Sequence, residues 1–239
     1  MLLDLARGLR DLVYPNVCVR CESLLADSAV DFCSTCVQSL THDPFATCPR
    51  CSSSVGAFSD LAEGCPRCRD DRFHFDGTIR LGPYEGLLRE VILSVKYGGD
   101  ETLGECVGRL WAEHHASRFR EIGAEVVIPI PLHWWRRLRR GYNQAECLSA
   151  AVANQLKVPH LPAGLKRVRP TRSQVSLTPA VRRTNMKAAF KASRRIELSG
   201  RKVLLIDDVM TTGGTASDAA RALKEAGATT VSVAVLAHQ

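Results

Sequence analysis

The sequence predicts an α/β domain preceded by a small zinc-binding module. Two observations carry this expectation: a strand–loop–helix–strand unit from Val203 to Leu236, and four Cys-x-x-Cys pairs within residues 18–68. The chain has 239 residues, 45% hydrophobic and 24% charged, which is enough for one sizeable core beside a small module. We therefore expect a first domain at residues 1–71 and a second at residues 72–239.

The start of the chain is amphipathic. Leu2, Leu5, Leu9 and Leu12 fall on one face of a predicted packing helix, with charged residues between them. This segment lacks the uninterrupted apolar core of a signal peptide, and no apolar run in the sequence approaches the ~20 residues that cross a membrane. We therefore expect a cytoplasmic protein with no integral membrane segment.

The cysteines of the first domain are spaced as zinc ligands. Each Cys-x-x-Cys turn can direct two thiolates at one tetrahedral Zn²⁺, and two such pairs complete a site. Two structural zinc ions are therefore predicted, without deciding which pairs share a metal. The alternative, a disulfide scaffold, needs an oxidising compartment. The predicted ligands are Cys18, Cys21, Cys33, Cys36, Cys48, Cys51, Cys65 and Cys68.

The segment that follows alternates strand and helix patterns. Gly77–Tyr84 is predicted as a strand, Glu85–Tyr97 as an amphipathic helix and Glu101–Arg118 as a second helix. Val127–Ile130 ends another strand, because Pro129 and Pro131 stiffen the turn there. A further helix is predicted to run through Leu156.

Positive charge is concentrated in the second domain. The net charge of the chain is +7, but residues 131–202 alone hold 17 Lys and Arg against two acids. Such a block indicates a polyanionic partner, for which pyrophosphate and a nucleic-acid backbone both qualify. Arg136 and Arg140 follow the proline turn and are candidates for a pyrophosphate clamp. Residues 167–190 are interpreted as a long basic loop that closes over a charged substrate, or else as an exposed linker.

A ligand-binding motif lies in the C-terminal unit. The strand Val203–Ile206 is followed by Asp207 and Asp208, then by Thr211-Thr212-Gly213-Gly214-Thr215 and an Ala-rich helix. Loops at this position of α/β sheets bind ligands, and glycine amides at a helix N-terminus can hold a phosphate. The acids would repel that phosphate, so they suit ribose hydroxyls or a hydrated Mg²⁺. The competing interpretation is an ordinary Rossmann-like turn whose acids cap the helix.

Residues 203–215 resemble the phosphoribosyl-pyrophosphate (PRPP) signature of type I phosphoribosyltransferases. With other segments they resemble the ComF family of competence-associated, phosphoribosyltransferase-like proteins over nearly the whole chain. The eight-cysteine module is similar to a double zinc ribbon. The other matching segments and residues are Leu93–Gly98, Pro129–His133, Arg136, Arg140–Gln144, Arg167, Thr171, Gln174, Leu177, Arg182, Asn185 and Phe190. Ala189, where Gly is expected, and the bulky Trp134-Trp135 depart from the pattern.

The resemblance implies a type I phosphoribosyltransferase-like parallel sheet flanked by helices, with PRPP at the C-terminal strand ends. Asp207 and Asp208 would bind the ribose hydroxyls and Mg²⁺ and, with Arg136 and Arg140, form the catalytic set. Gln174 and Arg182 would act from the mobile loop. Residues 72–120 and the zinc module are expected to cover the base side of the site. The PRPP-binding set is Asp207, Asp208, Thr211, Thr212, Gly213, Gly214, Thr215 and Lys96.

Two hypotheses of different class follow. In the first, the protein is a Mg²⁺-dependent phosphoribosyltransferase whose acceptor no residue identifies. For both, the resemblance implies a setting in DNA uptake during natural transformation. In the second, the protein is a non-catalytic accessory protein of that process. It would then bind PRPP and single-stranded DNA beside a helicase-type translocase. A zinc-ribbon regulator of transcription is weaker, because the large domain carries the ligand motif.

Overall fold

The computed structural model describes residues 15–27, 29–132, 137–138, 141–168 and 189–239. Its centre is a four-stranded parallel sheet of β3 (Gly77–Pro83), β4 (Val126–Pro129), β7 (Lys202–Met210) and β8 (Thr230–His238). The strands lie in the order β3–β8–β7–β4, so the motif-bearing strand β7 is central. Two small antiparallel pairs complete the strands: β1 (Ala46–Thr47) with β2 (Ser54–Val55), and β5 (Leu165–Arg167) with β6 (Phe190–Ala192).

Six described helices surround this sheet. They are α1 (Ser34–Thr41), α2 (Gly86–Tyr97), α3 (Glu101–His114), α4 (Ala116–Ile122), α5 (Gln144–Leu156) and α6 (Gly214–Glu225). The predicted single helix Glu101–Arg118 is two helices, because the backbone leaves the helical region at His115 (φ −102°, ψ 18°). No helix among the described residues is both long and apolar enough to cross a membrane.

The alternation of side chains along β7 divides the core into two layers. Leu204 and Ile206 pack with helices α2, α3 and α5 on one face of the sheet. Val203 and Leu205 pack with α6 and the β5–β6 hairpin on the other face. Successive strand residues point to opposite faces, so the same order places Asp207 and Asp208 on different faces. The alternation ends there, because Val209 packs with the layer of Leu204 and Met210 with the layer of Val203.

The cysteine-rich segment packs directly onto the α/β domain. Phe32 and Leu40 of its first half are buried in the same cluster as α2 and α3. Its second half lies against the edge strand β3, where the amide of Thr78 donates to the carbonyl of Pro49 over 3.2 Å. Buried Arg80 of β3 donates two hydrogen bonds to the Asp43 carboxylate, at 2.8 and 2.9 Å. The two parts of the chain therefore share an interface of apolar and charged contacts.

Candidate functional site

The two acids of the ligand motif lie within β7. The strand continues to Met210, because Asp207 and Val209 still pair with Val235 and Ala237 of β8. The prediction that the strand ends at Ile206 was therefore wrong. The apolar run indicated only the first half of the strand. Main-chain hydrogen bonding to β8 extends the strand through the polar residues that follow.

The alternation along β7 sends the two carboxylates to different layers. Asp208 continues the face of Leu204 and Ile206, and there it meets Lys96 at the end of α2, with 3.1 Å between Nζ and Oδ1. Both side chains of this ion pair are largely buried, 16% and 14% exposed. Asp207 continues the opposite face and accepts the main-chain N–H of Asp208 over 2.9 Å.

The surroundings of Asp207 disfavour its charged form. Burial is the largest cause, the neighbouring Asp208 carboxylate is the second, and together they raise the pKa of Asp207 to about 7. The Asp208 amide and the positive charges of Lys96 and Arg167 act in the opposite direction. A cation placed beside this carboxyl group would favour its charged form.

The loop after β7 leads into an open helix N-terminus. Gly213 is the N-cap of α6 and has φ +73°, a left-handed conformation that glycine adopts without strain. Since it has no side chain, no side-chain oxygen from this position caps the first amides of α6. Together with the helix dipole, those amides form a site suited to a phosphate. Thr211, Gly214 and Thr215 beside them are partly exposed and Thr212 is exposed.

Lys96 is held in place by the segment that precedes α5. The carbonyl of Val95, one residue before Lys96, accepts hydrogen bonds from the hydroxyl of Tyr142 and from Gln144 Nε2. Asn143 donates to the carbonyl of Ile130, at the end of β4. These bonds fix the end of α2 against the β4–α5 connection and therefore fix the root of the lysine that faces Asp208.

Part of the predicted site falls outside the described residues. This holds for Arg136, Arg140, Gln174 and Arg182, and for most of the predicted loop 167–190. The ends of that loop are described: Arg167 of β5 and Phe190 of β6 are paired in antiparallel register. Arg167 and Phe190 therefore lie on a strand pair packed against α6, where the charge of Arg167 acts on Asp207.

The eight cysteines form two separate clusters, which decides the pairing that the sequence left open. Consecutive pairs combine, and within each group the four sulfur atoms lie within 4.8 Å of one another. We call these the first cluster and the second cluster. Two turns repeat the same geometry: Glu22 donates to the Cys18 carbonyl and Ser52 to the Cys48 carbonyl, each with positive φ. The first cluster is Cys18, Cys21, Cys33 and Cys36, and the second is Cys48, Cys51, Cys65 and Cys68.

Both clusters have the donor set and spacing of a four-cysteine zinc site. Hydrogen bonds from the Cys36 amide and the Ser23 hydroxyl lower the pKa of Cys33 to about 6. In the second cluster burial opposes the thiolate of Cys48, but backbone amides outweigh it and lower the pKa to about 7. Burial raises the pKa of Cys36 and of Cys68. A metal ion held by four thiolates would displace the remaining protons, which is the coupling expected of structural zinc.

Comparison with known proteins agrees with this geometry. The family model described as "Phosphoribosyl transferase domain" matches residues 143–239, which include β7, the loop and α6. Competence protein F of Haemophilus influenzae is 32% identical over 225 residues, covering 92% of this chain and 96% of that protein. The chain belongs to the competence protein F (ComF) family.

Other relatives are similar to this chain over nearly the same length. DNA utilization protein YhgH of Escherichia coli K12 is 27% identical and covers 93% of this chain and 96% of its own. Competence protein ComFC of Bacillus subtilis is 24% identical, with coverages of 90% and 91%. Among solved structures, a B. subtilis glutamine PRPP amidotransferase is 23% identical, with a TM-score of 0.38. The match covers 55% of this chain and 25% of the amidotransferase chain. That likeness is too small to carry an argument.

Sequence reasoning missed how the supporting residues act in this ComF protein. Tyr142 and Gln144 were part of a motif, but their contact with the end of α2 depends on packing across 47 and 49 residues of chain. Arg167 was placed by spacing alone, whereas the structure brings its charge to Asp207. No local pattern indicates either contact.

Proposed function

We propose that this protein binds PRPP with Mg²⁺ at the C-terminal end of β7 and transfers the phosphoribosyl group to an acceptor not yet identified. One observation carries the proposal: two adjacent acids on the inner strand β7, one paired with Lys96, are followed across residues 209–213 by the open N-terminus of α6. The family model matched over this segment supports it. In this role Thr211–Thr215 hold the 5′-phosphate, and the two acids face the ribose and the cation.

The ion pair between Lys96 and Asp208 suggests how the ligand enters. A pyrophosphate oxygen can replace the Asp208 carboxylate as the partner of Lys96, because both are anions of similar hydrogen-bonding geometry. Asp208 is then free to accept a ribose hydroxyl. The exchange keeps a nearly buried ammonium group paired throughout, which avoids the cost of leaving it alone in a low-dielectric site.

Charge development at the reaction centre defines the catalytic task. Departure of pyrophosphate from the ribose builds negative charge on the leaving group, and a bound Mg²⁺ neutralises part of that charge. Lys96 lies where it can stabilise the same group, and Arg136 and Arg140 are proposed to join it. Gln174 and Arg182 are proposed to close over the substrate and exclude water.

Calorimetric titration of Mg²⁺–PRPP into the zinc-loaded protein tests the proposal. Asp207→Asn with Asp208→Asn should abolish binding, since both anionic ligands for the cation and the ribose are lost. The matched control is Glu113→Gln with Glu121→Gln, two exposed acids outside the motif with the same change in charge. Undiminished affinity in the first double variant would refute the site, and equal loss in both would refute a local role for β7.

The accompanying roles are proposed on the same basis. Residues 1–71 are proposed as a structural module with two zinc ions, and residues 72–239 as the ligand-binding domain. Eight thiol ligands remain reduced in the cytoplasm, so we place the protein there. Metal removal should unfold the cysteine-rich module before the sheet.

A second candidate function is binding of single-stranded DNA as an accessory to DNA uptake, beside a helicase-type translocase. Lys166 of β5 and Lys191 of β6 stand directly opposite each other and both are exposed. Like charges in that position destabilise a strand pair, which favours an anionic partner over the hairpin. The names of relatives, competence protein F and DNA utilization protein YhgH, agree with this role.

Salt dependence distinguishes DNA binding from other contacts. Affinity for a mixed-sequence single strand should fall steeply as salt rises, and Lys166→Gln with Lys191→Gln should reduce that slope. Lys157→Gln with Lys224→Gln removes the same charge elsewhere on the domain and is the control. An affinity that salt leaves unchanged would exclude contact with the phosphate backbone.

A further inference from the structure

The segment between the cysteine-rich module and β3 connects the second cluster to the phosphate loop. Phe73 packs against the four buried cysteines of that cluster together with Val55 and Leu61. The same side chain packs against the core layer that contains α6 and one face of β7. Phe73 therefore packs against the cysteine-rich module on one side and against the α/β domain on the other.

The aromatic rings of this segment lie directly under the turn of the phosphate loop. Phe73 and Phe75 are stacked, with 4.5 Å between ring centroids and 17° between planes. A Cβ atom on Gly213 would come within 3.1 Å of Phe73 Cε1 and 3.5 Å of Phe75 Cζ. The main chain of Gly213 thus rests on the two rings. Its positive φ and the tight contact together favour glycine at this position.

A hydrogen bond joins the same segment to the first turn of α6. The amide of His74 donates to Ser217 Oγ over 3.1 Å. Ser217 in turn donates its own amide to the carbonyl of Gly213 over 2.8 Å. The N-terminal turn proposed to bind phosphate is therefore held by a contact on its apolar side and by a polar contact one turn further along the helix.

Arg50 connects the second cluster to the Phe73 segment. It lies between Cys48 and Cys51 in the second cluster, and its guanidinium is 5.8 Å from the centroid of the Phe73 ring. It also donates to the carbonyls of Glu63 and Asp71, each over 2.7 Å. Arg50 thus joins the two halves of the cluster to the start of the Phe73 segment.

We propose that the second cluster, with its metal bound, positions the phosphate loop through Arg50 and Phe73. Phe73 is then a positioning residue for the 5′-phosphate of the ligand. The physical reason is preorganisation: the loop must hold several amides toward one anion, and a turn with positive φ has many alternatives once its support is removed. This inference rests on the proposed function, because it assumes that residues 211–215 bind the phosphate.

Binding measurements on two partial ligands test this inference. Phe73→Ala should weaken ribose 5-phosphate binding by at least about tenfold, because the amides lose their arrangement before the ligand arrives. Binding of Mg²⁺–pyrophosphate should stay within about twofold, since Lys96 and the β7 acids are proposed to hold that ligand without the Gly213 turn. Phe73→Leu, which keeps most of the apolar volume, should recover most of the affinity for ribose 5-phosphate.

Matched variants separate positioning from folding. Phe58→Ala removes an equivalent ring from the same module where it is fully exposed, and it should change neither affinity. Arg50→Met should weaken ribose 5-phosphate binding in the same direction as Phe73→Ala. If Phe73→Ala does not fold, Arg50→Met tests the inference in its place. An unchanged affinity of Arg50→Met for ribose 5-phosphate would overturn the inference.

The outcomes distinguish this inference from the proposed function. If the unaltered protein binds neither PRPP nor ribose 5-phosphate, the proposed function fails and the inference fails with it. If it binds both and Phe73→Ala binds them equally well, the inference alone is refuted. An equal loss of ribose 5-phosphate and pyrophosphate binding in Phe73→Ala would also refute it, because a general structural role would then suffice.

Discussion

The ion pair between Arg80 and Asp43 should be far more costly to break than its surface counterpart. The Arg80 side chain is 1% exposed, and its Nη1 also donates to the carbonyl of Ser52 over 2.9 Å. Asp43→Ala would leave this guanidinium in the interface without a carboxylate, and such an uncompensated charge costs about 3–5 kcal/mol. Adding Arg80→Met should recover part of the loss, because the second change removes the unpaired charge.

The structure supplies a control of the same chemistry. Arg109 donates to both oxygens of Asp31 at 2.9 Å, the same two-bond geometry, but the two side chains are 48% and 28% exposed. Asp31→Ala should therefore cost less than about 1 kcal/mol. Urea unfolding with excess zinc measures both losses. Equal losses for Asp43→Ala and Asp31→Ala would refute the argument that burial sets the cost.

Three further perturbations have defined outcomes. Asp207 has its pKa raised from 3.8 to about 7 in the folded protein, so its contribution to stability is present at low pH and is lost as pH rises through this window. Asp207→Asn should therefore raise the melting temperature of the ligand-free protein by an amount that grows between about pH 4 and pH 7 (at most about 1.4 kcal/mol per pH unit) and levels off at higher pH, and a constant difference would contradict this. Under a chelator, zinc should leave the first cluster before the second, because Cys21 is exposed whereas all four cysteines of the second cluster are buried. A colorimetric zinc dye follows the release, and Cys21→Ser and Cys51→Ser variants assign each kinetic phase of release to its cluster. Gly64→Ala should weaken metal binding at the second cluster alone, since its Cβ would lie 2.9 Å from the sulfur of Cys68, and metal titration with unchanged stoichiometry and affinity would exclude the clash.

The motif residues were accessible to sequence reasoning because their signals are local. Val203–Ile206 reads as a buried strand, and the acids, threonines and glycines that follow have a fixed order in a single stretch. The prediction of an α/β fold with a parallel sheet is confirmed by the order of the strands and by the matched domain. Boundaries were less accurate: β7 extends beyond Ile206 and the predicted helix at Glu101–Arg118 divides at His115.

Contacts between distant segments had no such local signal. Lys96 reaches Asp208, and Phe73 reaches Gly213, only because packing of α2 and of the module places them there. Buried Arg80 gave no indication of its partner Asp43, because a charged residue in a strand pattern is usually read as solvent-exposed. These partners follow from how separate elements share one core.

By itself the sequence determined the four Cys-x-x-Cys pairs, the buried start of β7 at Val203–Ile206 and the order of acids, threonines and glycines in residues 207–215. Each of these features depends on residues only a few positions apart in the chain, and there the backbone geometry of the local element sets the direction of each side chain. Only the tertiary structure decided which cysteine pairs combine, which face each acid takes relative to Lys96, and what supports the phosphate loop. Those outcomes depend on burying apolar surface between elements far apart in the chain, and that packing is a property of the whole fold.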